Sequence, residues 1–175
     1  MSEAASSPDS NTTPGSTNPS NTDQVILIAY DGSRQAKRAI NYVGKFFPGK
    51  KVVLLTAWEC FQLQAVRTSG ASGIVQCDWD SENMIEDPSL TDARKFAYEG
   101  AQLAAAVGLQ SESYIVEHST SIWNAITKVA DMLDADLIVT GTHGRTGFAE
   151  LMRPSVSERV LKHGHRPVLI VPLEE

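Results

Sequence analysis

"VILIAYDGSRQAKRAINYVGKFFPGKKVVLLTAW", residues 25–58, holds the pattern that decides the fold. Its opening run, Val25 to Tyr30, is continuously apolar and of strand length, which suits a strand buried on both faces. Ser33 then stands where a helix cap belongs, and Ala36, Ala39, Ile40 and Val43 recur at helical spacing. Pro48 and Gly49 break that period before a second apolar run, Val52 to Trp58. Strand, helix and strand in succession predict a parallel pair joined by a right-handed crossover.

The alternation continues downstream. Residues 59–89 show no clear period and read as an irregular insert, long for a loop in a compact domain. Leu90 to Val107 reads as a helix with Phe96, Leu103 and Val107 on one side and Gly108 at its end, followed by a short strand from Ser113 to Val116. Ile122, Ala125, Ile126, Val129, Ala130 and Leu133 form one apolar stripe of an amphipathic helix, with Trp123 off the stripe. Asp136 to Thr140 is the fourth strand. Pro154 opens a helix to about His163, Gly164 ends it, and Val168 to Val171 is the last strand. The expected fold is α/β: a five-stranded, mainly parallel, doubly wound, Rossmann-like sheet of order 3-2-1-4-5 with helices on both faces. In that order ligands bind where strand order reverses, between strands 1 and 4, and "YDGS" would face "GTHGRTG" there.

Composition narrows the function classes. The chain has 175 residues, a formal charge of -6 and 42% apolar residues, which describes one globular domain without the basic face a nucleic-acid surface needs. Residues 1–23 are rich in Ser, Thr, Asn and Pro with no aromatic or branched apolar residue, and so read as a disordered tail ahead of a domain at 24–175. With neither an apolar leader nor a membrane-spanning run in the sequence, the expected location is cytoplasmic. Cys60 and Cys77 have no metal or CxxC spacing and read as free, buried or half-buried thiols.

The glycines after strand 4 carry the functional question. Such a loop lets backbone N–H groups approach phosphate oxygens, and the helix that follows adds its positive end. Gly141, Gly144 and Gly147 fit neither a Walker loop nor GxGxxG spacing, and from the residues alone a plain strand-to-helix connection is an equal reading.

"VILIAYDGS", "DLIVTGTHGRTGFAELMRPSVSERVL" and "HRPVLIVP" together resemble the universal stress protein family from about Gln24 to Leu173. The resemblance implies the five-strand fold, a stress-response role, and often a homodimer with last strands antiparallel, here through Val168 to Leu173. In nucleotide-binding members Asp31 would reach the adenosine end and Ala57 and Thr140 would border it. Gly141 and Gly144 would sit against ribose or phosphate, and Ser155 and Val156 would offer groups to the phosphates. Arg145 and Arg153 would add charge. The ligand expected is ATP or a related adenine nucleotide, with Mg2+ if ATP is bound. Nucleotide-binding members of the family carry G-x-x-G, nine residues, then G-[ST]; the departure is Pro154, which stands where that motif has its third glycine and has no N–H. If that donor touched phosphate, its loss would weaken binding by about 1.5 to 3 kcal/mol.

Other candidates have plainer readings. Asp31 also suits the turn into the first helix. His143, without a partner carboxylate at a telling spacing, reads as a solvated loop residue, and His163 and His165 suit a helix C-terminus better than a two-ligand metal site. No base or metal constellation points to an enzyme. The alternative to nucleotide binding is a dimeric interaction module acting through an unknown protein partner, using residues 59–89.

Overall fold

The computed structural model describes residues 24–69, 87–142 and 155–173. The expected tail, the middle of the 59–89 stretch, and the glycine loop with His143, Gly144, Arg145, Arg153 and Pro154 lie outside the described residues. Ten elements follow in order: β1 Val25–Ala29, α1 Arg34–Phe46, β2 Lys51–Trp58, α2 Phe61–Ser69, α3 Pro88–Ala106, β3 Gln110–Glu117, α4 Ile122–Met132, β4 Leu137–Thr142, α5 Val156–His163 and β5 Val168–Pro172. The sheet has the expected order β3-β2-β1-β4-β5, and every pairing is parallel.

Helices cover both faces, which is why β1 and β2 read as unbroken apolar runs. On one face Ile26, Ile28, Val52 and Leu54 pack with Ala36, Ala39, Ile40 and Val43 of α1 and Ala104 of α3. On the other, Leu27, Val53, Leu55 and Ile138 pack with Ile126 and Val129 of α4 and Val160 of α5. Burying each such Leu, Ile or Val stabilises the fold by roughly 1.5–3 kcal/mol relative to an exposed side chain. The Ser33 cap is present, its Oγ accepting from Ala36 N at 3.2 Å.

Several expectations need correction. The 59–89 stretch contains α2 and the start of α3, and the two helices are tied through Asp87 and by Gln64 Nε2 of α2 donating to Ser89 Oγ of α3 at 3.1 Å. Asp87 caps α3 by accepting from Ser89 N at 2.7 Å, while its other oxygen accepts from Phe61 N at the start of α2 at 2.9 Å. On α3 the buried residues are Ala93, Ala97, Gly100 and Ala104 rather than a face headed by Phe96, which is 38% exposed. Small residues line that face because the Tyr30 ring lies against it: a Cβ on Gly100 would come 3.0 Å from Tyr30 Cδ1. The third strand is twice the expected length, an edge strand whose polar outer residues hide it. The last helix begins at Val156, with Ser155 rather than Pro154 at its start.

Cys60 is disulfide-bonded, so its reading as a free thiol does not hold, and Cys77 lies outside the described residues. Pairing is decided by where the chain folds rather than by sequence spacing. Among the described residues no helix is long and apolar enough to cross a membrane.

Candidate functional site

The strands part at the carboxyl edge of the sheet. Pairing of β1 with β4 stops at Ile28 and Val139, whereas β1 follows β2 to Ala29 and Leu55, and Tyr30 N still donates to Leu55 O at 2.8 Å. Beyond this edge opens a cleft of about 580 Å3 whose lining includes Asp31, Thr56, Ala57, Trp58, Glu59, Arg67, Phe96, His118, Trp123, Val156 and Arg159. It spans the ends of β1, β2 and β3 and reaches the first turn of α5.

Each border has a local cause. Asp31 makes a turn, its Oδ1 accepting from Ser33 N at 3.0 Å, and Gly32 follows at φ +77 with Phe96 against it. A side chain on Gly32 would meet both the φ restriction and the Phe96 ring, its Cβ falling 2.6 Å from Cδ1. At the far border Ser155 forms a capping box: its Oγ accepts from Glu158 N at 3.2 Å, and its own N donates to Glu158 Oε2 at 3.1 Å. Two donors are thereby satisfied. The N–H groups of Val156 and Ser157 remain in the first turn without an intrahelical acceptor, facing the direction in which an anion is stabilised.

The β2–β3 border is polar and charged. Arg67 of α2 lies 3.0 Å from Glu59 Oε1 and donates to the carbonyls of Ser119 and Thr120 at 2.9 and 3.3 Å. His118 follows β3, its backbone N donating to Trp58 O at 2.9 Å. Burial pushes its imidazole below the usual range; Glu59 opposes that shift and Arg67 adds to it. Thr56 Oγ1, Glu59 Oε1 and His118 Nδ1 are all buried without a hydrogen bond among the described residues. Burial, followed by Asp87, pushes the nearby Glu117 carboxyl up.

Comparison with known proteins settles the lineage of this arrangement. The pattern of the universal stress protein family matches residues 24–172. The chain belongs to that family. It is 29% identical over 151 residues to the universal stress protein MJ0531 of Methanocaldococcus jannaschii, covering 83% of this chain and 80% of that protein. In fold it is similar to a universal stress protein solved in complex with cAMP, with TM-score 0.62 and 22% identity over 85% of this chain and 96% of that one. It is also similar to a family protein of Arabidopsis thaliana solved with AMP bound, with TM-score 0.59 and 15% identity over 86% and 92% of the two chains.

For this universal stress protein the site residues expected from sequence divide into groups. Asp31, Ala57 and Val156 line the cleft together. Thr140 is buried in β4, with Oγ1 unpartnered, and is not part of the lining. Gly141 has a packing reason to be glycine, since a Cβ there would fall 2.6 Å from the carbonyl carbon of Gln35 in α1. Its own carbonyl accepts from Ser157 Oγ at 2.9 Å, which fastens α5 to the end of β4. Ser155 is the helix cap. Gly144, Arg145 and Arg153 lie outside the described residues.

Sequence reading missed Thr56, Glu59, Arg67, His118 and Arg159. The first four come from two strand ends and a helix far apart in the chain, so no spacing links them. Arg159 carries a weak signal, one helical turn inside a predicted helix N-terminus. Trp123, off the apolar stripe of α4, packs its ring 4.9 Å from that of His163 and faces the cleft. His163 is thus a ring partner at the helix end. Among the described residues no cluster of three or more His, Cys, Asp or Glu could hold a metal ion.

Proposed function

We propose that this universal stress protein binds ATP or a related adenine nucleotide in the cleft as a signal or stability ligand, without efficient turnover. The observation that carries the reading is the convergence of Asp31, Ala57, Val156 and Arg159 on one opening at the carboxyl edge of a doubly wound sheet. The α5 N-terminus and the Arg159 guanidinium supply positive potential for phosphate, and Trp58, Phe96 and Trp123 supply apolar walls for a flat base. That relatives of the same fold have been solved with cAMP and with AMP supports the ligand class. If the ligand is ATP, Mg2+ accompanies its phosphates. Pro154 precedes the Ser155 cap and so removes no donor from Val156 or Ser157. Binding therefore survives the proline, weakened by the loss of its own N–H.

The same reading includes a homodimer through Val168 to Leu173. The sheet has two open edges of different character. β3 reads QSESYIVE, with Gln110, Glu112 and Glu117 exposed, while β5 reads VLIVP with Val168, Leu169 and Ile170 half-buried. An apolar edge needs cover more than a charged one does. Light scattering at micromolar concentration is expected to give a dimer, and a monomer contradicts this part.

Calorimetry with ATP and AMP tests the ligand. Wild type is expected to bind and Pro154→Gly to bind more tightly, by up to roughly ten- to a hundredfold. Absence of binding by both folded proteins contradicts the reading.

A further inference from the structure

The β2–β3 end of the cleft holds three buried polar atoms that make no hydrogen bond among the described residues. Thr56 is 2% exposed, lines the cleft, and has no partner for its hydroxyl. Its neighbours on the sheet, Leu55 and Leu54, are fully packed, so the hydroxyl sits where an apolar group would serve stability better. Glu59 Oε1 has charge balance from Arg67, yet it accepts no hydrogen bond, because that guanidinium nitrogen donates to Ser119 and Thr120. His118 Nδ1, from the adjacent strand end, is unpartnered as well. Buried polar atoms are nearly always satisfied in native proteins, so unsatisfied groups gathered in a cleft call for a partner from outside the fold.

The chemistry of the three atoms narrows that ligand. A carboxylate oxygen only accepts, a threonine hydroxyl donates or accepts, and an imidazole nitrogen completes whichever role is left. An N–H donor beside a ring acceptor answers all of them, whereas a keto oxygen at the donor position would face the carboxylate with no proton between. Trp58, Phe96 and Trp123 line the same space and suit a planar ring. Along the sheet edge this end lies farthest from α5, where the phosphate would sit, so the groups meet the base and not the sugar.

We infer that Thr56, Glu59 and His118 form a specificity subsite that reads the exocyclic amine and adjacent ring nitrogen of the bound base. The inference rests on the nucleotide reading above and adds to it the side chains that select the base.

The test is calorimetry of the full chain with AMP, with purine riboside 5′-monophosphate, which lacks only the exocyclic amine, and with ribose 5-phosphate. Wild type, Thr56→Val and Glu59→Met are compared, each checked by thermal melting. Wild type is expected to prefer AMP over the amine-free analogue by about tenfold, in line with a charge-assisted hydrogen bond. Both variants should bring that ratio close to unity and leave ribose 5-phosphate binding unchanged. Thr56→Val deletes one unpartnered hydroxyl and should melt no lower than wild type, so it carries the test if Glu59→Met does not fold. A wild-type ratio near unity overturns the inference and leaves the nucleotide reading standing, as does a ratio that the folded variants retain. Failure of wild type to bind either nucleotide overturns both.

Discussion

At the α5 end of the cleft the local chain forms its own frame: Ser155 and Glu158 satisfy each other and Ser157 holds the Gly141 carbonyl, which leaves the Val156 and Ser157 N–H groups for an anion. At the β2–β3 end Thr56, Glu59 and His118 keep buried polar atoms that make no hydrogen bond among the described residues, with Glu59 balanced in charge by Arg67. The first end is set by local chain geometry and stands without a ligand. The second has its groups brought together by the sheet and left open. Local geometry therefore maintains the shape of the site, and selectivity is assigned to the distant groups by the inference above.

The comparison can be broken most strongly at Gly141. Adding a Cβ there drives it into the backbone of Gln35, so Gly141→Ala should lower stability by about 2 to 3 kcal/mol in chemical denaturation. A loss below about 1 kcal/mol would mean that β4 and α1 separate easily, and that the α5 end is not rigid. Next in size is Ser155→Ala, which removes one half of the capping box and should cost about 1 to 2 kcal/mol. Stability unchanged by that substitution would remove the cap from the account.

At the other end the sign reverses. Thr56→Val removes an unsatisfied buried hydroxyl and should raise the stability of the ligand-free protein by about 1 kcal/mol. A clear loss of stability would show that the hydroxyl has a structural partner.

The smallest expected effect is on pH dependence. Burial lowers the folded-state pKa of His118, so the unfolded chain binds the proton more readily. Stability is then full above the unfolded value of about 6.5 and falls as pH drops through that value. Melting between pH 7 and 5 should show a decline that His118→Asn reduces, and equal declines in both proteins would contradict the buried environment.

The same division explains what the sequence made legible. β1 and β2 are apolar at nearly every position because helices cover both faces, and Ser33 and Ser155 stand directly before the helices they cap. The sheet order and the place of the Asp31 turn at the crevice followed from such local signals, whereas Ala57 and Val156 entered through the family resemblance. α2 did not, since FQLQAVRTS is polar around most of its circumference, with only Leu63 and Val66 partly buried among its apolar positions. β3 looked short because an edge strand carries polar residues along its length. The apolar face of α3 was misread through Phe96 because the Tyr30 ring demands small residues on the buried side. His118 gave no signal at all: its meaning lies in Glu59 and Arg67, which the fold alone brings beside it.

The central claim, that this cleft is an adenine-nucleotide site, is tested most directly by titrating AMP into the full chain and into Asp31→Ala by calorimetry. Asp31 lines the cleft on the side of β1, and because the substitution also removes the acceptor of Ser33 N, the variant is first checked for folding by thermal melting. The account predicts saturable binding by wild type that weakens by about tenfold or more in the variant, as loss of a charged hydrogen-bond acceptor requires. Folded wild type that releases no heat with AMP, or a variant that binds as tightly as wild type, would contradict it.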